Sequence, residues 1–129
     1  MIRKLLLPVS LAALALGLAG CSPAASGASA PGGPGEPLPA GAVVIDVRTP
    51  EEYATGHLEG ARLLDLTGGE LEAAIPGLEP AADYYVYCRS GNRSGQAEQL
   101  MRAAGIDRVT NLGSVQEASE SSGIGIVTE

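Results

Sequence analysis

The chain contains no tryptophan and no phenylalanine, and its only aromatic residues are tyrosines. A core must therefore be built from Leu, Val, Ile, Ala and Tyr, which implies a small core of modest stability. Histidine occurs once, at His57. A lone histidine with no companion cluster argues against a metal site, and nothing calls for a cofactor. Lysine also occurs once, at Lys4, and the 8 basic residues face 15 acids for a net charge of −7. That balance argues against nucleic acid as a partner, and against electrostatic attraction to anionic lipid. Cysteine occurs twice, at Cys21 and Cys88. No internal repeat is visible.

What is present begins with a segment of targeting character. Arg3 and Lys4 precede an apolar run from Leu5 to Leu18, broken by Pro8 and Ser10. The run is too short to span a bilayer, which takes roughly 20 apolar residues. It closes on Leu18-Ala19-Gly20-Cys21, which resembles the lipobox of bacterial lipoproteins. That resemblance implies a signal peptide over residues 1–20, cut before Cys21, whose sulfur then carries a diacylglyceryl group. It implies export and attachment to a bacterial cell-envelope membrane, on the periplasmic or extracytoplasmic face, through the acyl chains. Two or more chains anchor a protein stably where one does not. The alternative is an ordinary secretory signal that leaves Cys21 as a spare thiol. Residues 21–40 are Ala, Gly, Ser and Pro with one charge, Glu36. This composition buries almost nothing and reads as a flexible tether. A folded domain is expected over residues 41–129.

Within that domain, strand and helix signals alternate. Ala42–Val47 is a β-branched apolar run, expected as a buried strand. Thr49, Pro50 and Glu52 form a capping box with proline at the first helical position, and the helix should stop at Gly56. Ala61–Leu66 reads as a strand. The stretch from Gly68 to Ile75 reads as a short helix ended by Pro76-Gly77. Asp83–Cys88 reads as a strand. The stretch from Asn92 to Gly105 is the most regular helix, with Ala97, Leu100, Met101 and Ala104 on one face and Gly105 past its end. Arg108–Leu112 reads as the last clear strand, and Val115–Ser121 as a final short helix. Strands alternating with helices predict an α/β fold, a small parallel sheet flanked by helices on both faces.

The stretch Tyr87-Cys88-Arg89-Ser90-Gly91-Asn92-Arg93-Ser94-Gly95 concentrates chemistry. It puts a thiol at the carboxyl end of a strand, where open α/β sheets bind ligands. The following turn and helix start offer inward-pointing N–H groups and a positive dipole end. Such surroundings lower a cysteine pKa from about 8.5 to somewhere between roughly 3.5 and 7.5. Ser90 and Ser94 can donate hydroxyl hydrogen bonds to an anion, and Arg89 and Arg93 can bracket it. Gly91 and Asn92 complete the loop. With Cys21 committed to lipid, Cys88 has no resolving partner, which disfavours a dithiol oxidoreductase. The pattern fits a nucleophilic cysteine acting on a small anion.

From about Gly41 onward the chain resembles the single-domain rhodaneses, a sulfurtransferase family. The resemblance rests on Asp46-Val47-Arg48 followed by Gly56-His57 and Gly60-Ala61, on the Cys88 loop with its helix, and on Arg108-Val109-Thr110-Asn111-Leu112-Gly113-Ser114. It implies that Cys88 takes a sulfur from a thiosulfate-like anion, holds it as a persulfide and passes it to a thiol or cyanide acceptor. It also implies supporting roles for Asp46, Arg48 and His57. Glu51 and Glu52 read as helix-start charges, and Tyr84, Tyr85 and Tyr87 as core or strand-face residues. A rhodanese-like sulfur-sensing or partner-binding module with little turnover is the alternative; no protein partner is indicated. Cysteine-based phosphatases and arsenate reductases are less favoured. Their cradle separates Cys and Arg by five residues, whereas four lie between Cys88 and Arg93. The family usually shows a second glycine and a tryptophan after the last strand. Here Ser114 follows Gly113 and small or polar residues follow, so a loose C-terminal cap is expected.

Overall fold

A computed structural model of the chain describes residues 35–128. The signal peptide, Cys21 and most of the tether assigned above lie outside the described residues. Leu38, near the end of the compositional tether, packs against the core.

Four strands form one parallel sheet in the order β3-β1-β4-β5: β1 is Val43–Asp46, β3 Arg62–Leu63, β4 Tyr84–Cys88 and β5 Val109–Ser114. Helices α1 (Pro50–Thr55), α2 (Glu70–Ala74), α3 (Asn92–Ala103) and α4 (Val115–Ser122) connect and cover it. The period of two along each strand divides the core. Ile45, Val47, Tyr84, Val86 and Cys88 face one cluster with Ala97 and Met101 of α3 and Leu71 of α2. Val44, Tyr85 and Tyr87 face the other, with Val115 and Ala118 of α4 and Leu58. Every residue of β4 is buried, consistent with a central strand covered on both faces. The α/β architecture with helices on both faces is thus the one the strand–helix alternation implies.

Local differences from the sequence reading have identifiable causes. Strand β3 is two residues long rather than spanning Ala61–Leu66. The Leu64 and Leu66 N–H groups still reach the Asp46 and Val47 carbonyls (2.9 and 3.2 Å), but Asp65 makes the ladder irregular by accepting from the Thr67 N–H (2.8 Å) and hydroxyl (2.7 Å). On α3 the buried face is Ser94, Ala97 and Met101; Ala104 is exposed because the helix ends at Ala103 and the chain leaves through Gly105. The C-terminal segment is not loose. Ser114 and Glu117 form a complete capping box for α4, and Val115 and Ala118 are buried against the sheet. An additional antiparallel pair joins β2 (His57–Leu58) to β6 (Ile126–Val127).

Candidate active site

Strand β4 delivers Cys88 to the carboxyl end of the sheet, between β1 and β5. The chain then turns through Arg89, Ser90 and Gly91 into α3. Gly91 has φ +88°, and a Cβ there would lie 3.4 Å from the Gly113 Cα, so the two glycine backbones meet directly. Asn111 fastens this contact. Its Nδ2 donates to the Gly91 carbonyl (3.1 Å), and its Oδ1 accepts from the Gly113 N–H (2.9 Å). A bulge opposite Val86 and Tyr87 lets β5 present both residues to the loop.

The first turn of a helix has N–H groups without intrahelical partners. In α1 and α4, Thr49 and Ser114 cap them. Helix α3 has Gly91 at its N-cap position and so has no capping side chain. The Cys88 sulfur occupies that place. It accepts from the Gly91 N–H at 2.9 Å and from the Ser94 hydroxyl at 3.4 Å. The backbone N–H groups of Ser94 and Ser90 also bear on it. Complete burial pushes the thiol pKa up, but the Ser94 hydroxyl and these N–H donors outweigh burial and lower it below the ordinary thiol range. The arrangement favours thiolate. The sulfur is fully shielded from water, so a reactant reaches it only as the loop or its flanking side chains move aside.

The two loop arginines differ. Arg89 is exposed, and its guanidinium pairs with no described residue. It borders a cleft of about 520 Å³, lined also by Arg48, Glu52, Thr55, Val115 and Ile126. Arg93 was expected to bracket an anion beside Arg89. Its guanidinium instead makes two 2.8 Å bonds to the Glu52 carboxylate of α1. Asn92 and Ser90 are at the surface; the Asn92 side chain accepts from Gln96 at 2.8 Å and lies along the first turn of α3.

Beside the loop, Asp46 and Arg48 form a buried two-pronged ion pair, with Arg48 Nη2 to Asp46 Oδ2 at 2.6 Å. The same Nη2 donates to the Gly56 carbonyl at 2.6 Å, tying the end of β1 to the end of α1. Tyr87 completes the group: the Leu58 N–H donates to its hydroxyl at 3.0 Å, and the Arg48 guanidinium lies 5.6 Å from its ring centre. His57 is buried, stacks on the Tyr53 ring at 3.6 Å, and donates from Nδ1 to the Tyr53 carbonyl at 2.9 Å. Its contacts hold α1 against β2 and do not reach the thiol.

Comparison with known proteins places this fold in a family. The family model described as a rhodanese-like domain matches residues 35–120. The chain belongs to the rhodanese family. YqhL of Bacillus subtilis (strain 168) is 37% identical over 71 residues, 55% of each chain. Thiosulfate sulfurtransferase PspE of Escherichia coli (strain K12) is 33% identical over 75 residues, 57% of this chain and 70% of that one. A solved structure described as rhodanese with anions from E. coli is similar at TM-score 0.56 and 29% identity, covering 68% of this chain and 99% of that chain. The chain therefore spans little more than half the length of its Bacillus relative. Two residues of this rhodanese site escaped the sequence reading as loop supports, Asn111 and Glu52. Both act across the fold, the second from 41 positions away, and the capping box marks Glu52 only as a helix-start charge.

Proposed function

We propose that this rhodanese is a sulfurtransferase working through a persulfide on Cys88. The observation that carries the reading is the set of donors from Ser90, Gly91 and Ser94 converging on one buried sulfur. The Cys88 thiolate attacks the outer sulfur of a thiosulfate-like donor. A new S–S bond forms on Cys88, the donor S–S bond breaks, and its electron pair leaves with sulfite. The donors that hold the thiolate are suited to hold the terminal persulfide sulfur. An acceptor thiolate or cyanide then attacks that outer sulfur, and the electron pair returns to Cys88. Two half-reactions through one covalent intermediate give ping-pong kinetics. The exposed Arg89 at the cleft is suited to guide an anionic donor.

Thiosulfate-to-cyanide transfer, measured with Cys88→Ala alongside, tests this. Activity in the wild type that falls by roughly a thousandfold or more in the variant is expected. A folded, reduced wild type with no transfer would favour a sulfur-sensing or partner-binding role. We propose further that Cys21 carries the lipid anchor, on the support of the Leu18-Ala19-Gly20-Cys21 motif. Cys21→Ser should then move the protein from the membrane to the soluble fraction of a bacterial host.

A further inference from the structure

Glu52 has three tasks at once. Its Oε2 accepts the Thr49 N–H at 3.1 Å, closing the α1 capping box, and also the Arg93 Nη1 at 2.8 Å. Its Oε1 accepts Arg93 Nη2 at 2.8 Å. Arg93 is the last residue before Ser94, whose hydroxyl and N–H bear on Cys88. Both partners are about three-quarters withdrawn from solvent. They also divide the surface beside the loop. Glu52 lines the cleft that holds Arg89, whereas Arg93 lines a second cleft with Leu66, Thr67 and Leu100. Arg93, in the first turn of the thiol's own helix, is therefore paired with a carboxylate borrowed from another helix.

We propose that Glu52 is an internal counter-ion of the Cys88 loop, a positioning residue that holds Arg93 in a closed pair and sets how strongly the loop discriminates anionic from neutral reactants. It deepens the reading of Cys88 as the reacting thiol and rests on it. Removing the Glu52 charge takes from Arg93 the carboxylate it is bonded to and leaves only the weaker influence of Cys88 and Asp65 against it. The loop then attracts a dianionic donor more strongly and releases an anionic product less readily. An anion-binding loop that held its ligand too well would stall after the first half-reaction, and a built-in carboxylate prevents this. The pair's partial burial limits screening by salt.

Charge selectivity can be read without any sulfur transfer. In the full chain, the alkylation rates of Cys88 by iodoacetate and by iodoacetamide are compared, counting adducts on the Cys88 peptide by mass spectrometry. Access to the sulfur is common to both reagents, so their ratio reports the local charge. Glu52→Gln retains a residue suited to the capping box and should raise the iodoacetate-to-iodoacetamide ratio about three- to tenfold. Arg93→Gln should lower it, and the double variant should return it to within about twofold of wild type. A purely bracing pair predicts no such return. An unchanged or lowered ratio in folded Glu52→Gln would overturn the proposal. If that variant does not fold, a double variant whose ratio stays with Arg93→Gln would do the same. In transfer assays Glu52→Gln should lower the KM for thiosulfate and strengthen inhibition by sulfite. The alkylation ratio stands whether or not transfer is detected, so the two readings fail separately.

Discussion

Helices α1 and α3 follow the carboxyl ends of the neighbouring parallel strands β1 and β4 and are tied by the Glu52–Arg93 pair, yet their starts are built in opposite ways. At α1, Thr49 and Glu52 satisfy the first turn with their own side chains, and Pro50 removes one donor altogether. At α3 the start is a glycine with no side-chain cap, and the unsatisfied donors turn to the Cys88 sulfur. One start is finished by sequence-local groups for stability. The other is left open for a thiolate, and by extension for the sulfur it would carry. The same contrast runs through the neighbouring polar groups. Asp46, Arg48 and His57 are buried and paired, whereas Arg89 is exposed and pairs with no described residue.

Four experiments would break or sharpen this comparison, taken from the largest effect. Asp46→Ala removes the carboxylate of a buried pair and leaves Arg48 with the Gly56 carbonyl and the Tyr87 ring but no counter-charge bonded to it. It should cost about 3–5 kcal/mol in urea unfolding, because an uncompensated charge stays in the interior. A loss under 1 kcal/mol would show that the brace is replaceable. Gly91→Ala forces a side chain into a left-handed conformation at φ +88°, against the Gly113 backbone. It should cost about 1–2 kcal/mol and slow alkylation of Cys88, since the Gly91 N–H shifts from the sulfur. Thr49→Ala should cost about 1 kcal/mol by opening the α1 cap. It should leave the pH profile of Cys88 alkylation where it was; movement of that profile would show that the two starts are not independent.

The fourth concerns pH. Cys88 alkylation should titrate below the ordinary thiol range, and Ser94→Ala should move the midpoint upward by removing a donor to the thiolate. A folded-state thiol pKa below the unfolded value contributes stability that is fully present above the unfolded pKa. That contribution is lost as pH falls through the folded value. Glu52 behaves likewise at lower pH. The Arg93 guanidinium holds its carboxyl down to about 2, so the pair's contribution should fade only as pH drops from the ordinary carboxylate range toward 2. A Ser94→Ala profile identical to wild type would remove the serine from the account.

How much of this was legible in the residues follows the range of each interaction. The α1 capping box, the alternating strands and helices, and the thiol at a strand end are local patterns, and all are written within a few positions. The Ser114–Glu117 capping box was equally local. The absence of a tryptophan drew attention to looseness instead, while Val115 and Ala118 close the face. The short β2–β6 pair, the Asn111 clasp on Gly91 and the turning of Arg93 to Glu52 bring together residues distant in sequence. Periodicity and caps carry no record of such meetings. Arg93 illustrates the limit: its position in the loop suggested an anion partner, and the fold supplies a carboxylate from α1.

The proposed sulfur chemistry at Cys88 depends on the open start of α3. The direct measurement is to treat the reduced full chain with thiosulfate in the absence of an acceptor, then to weigh the Cys88 peptide and measure released sulfite. One added sulfur atom on that peptide, with sulfite released in equal amount, is the predicted result. A folded protein whose Cys88 gains no sulfur and releases no sulfite would contradict it.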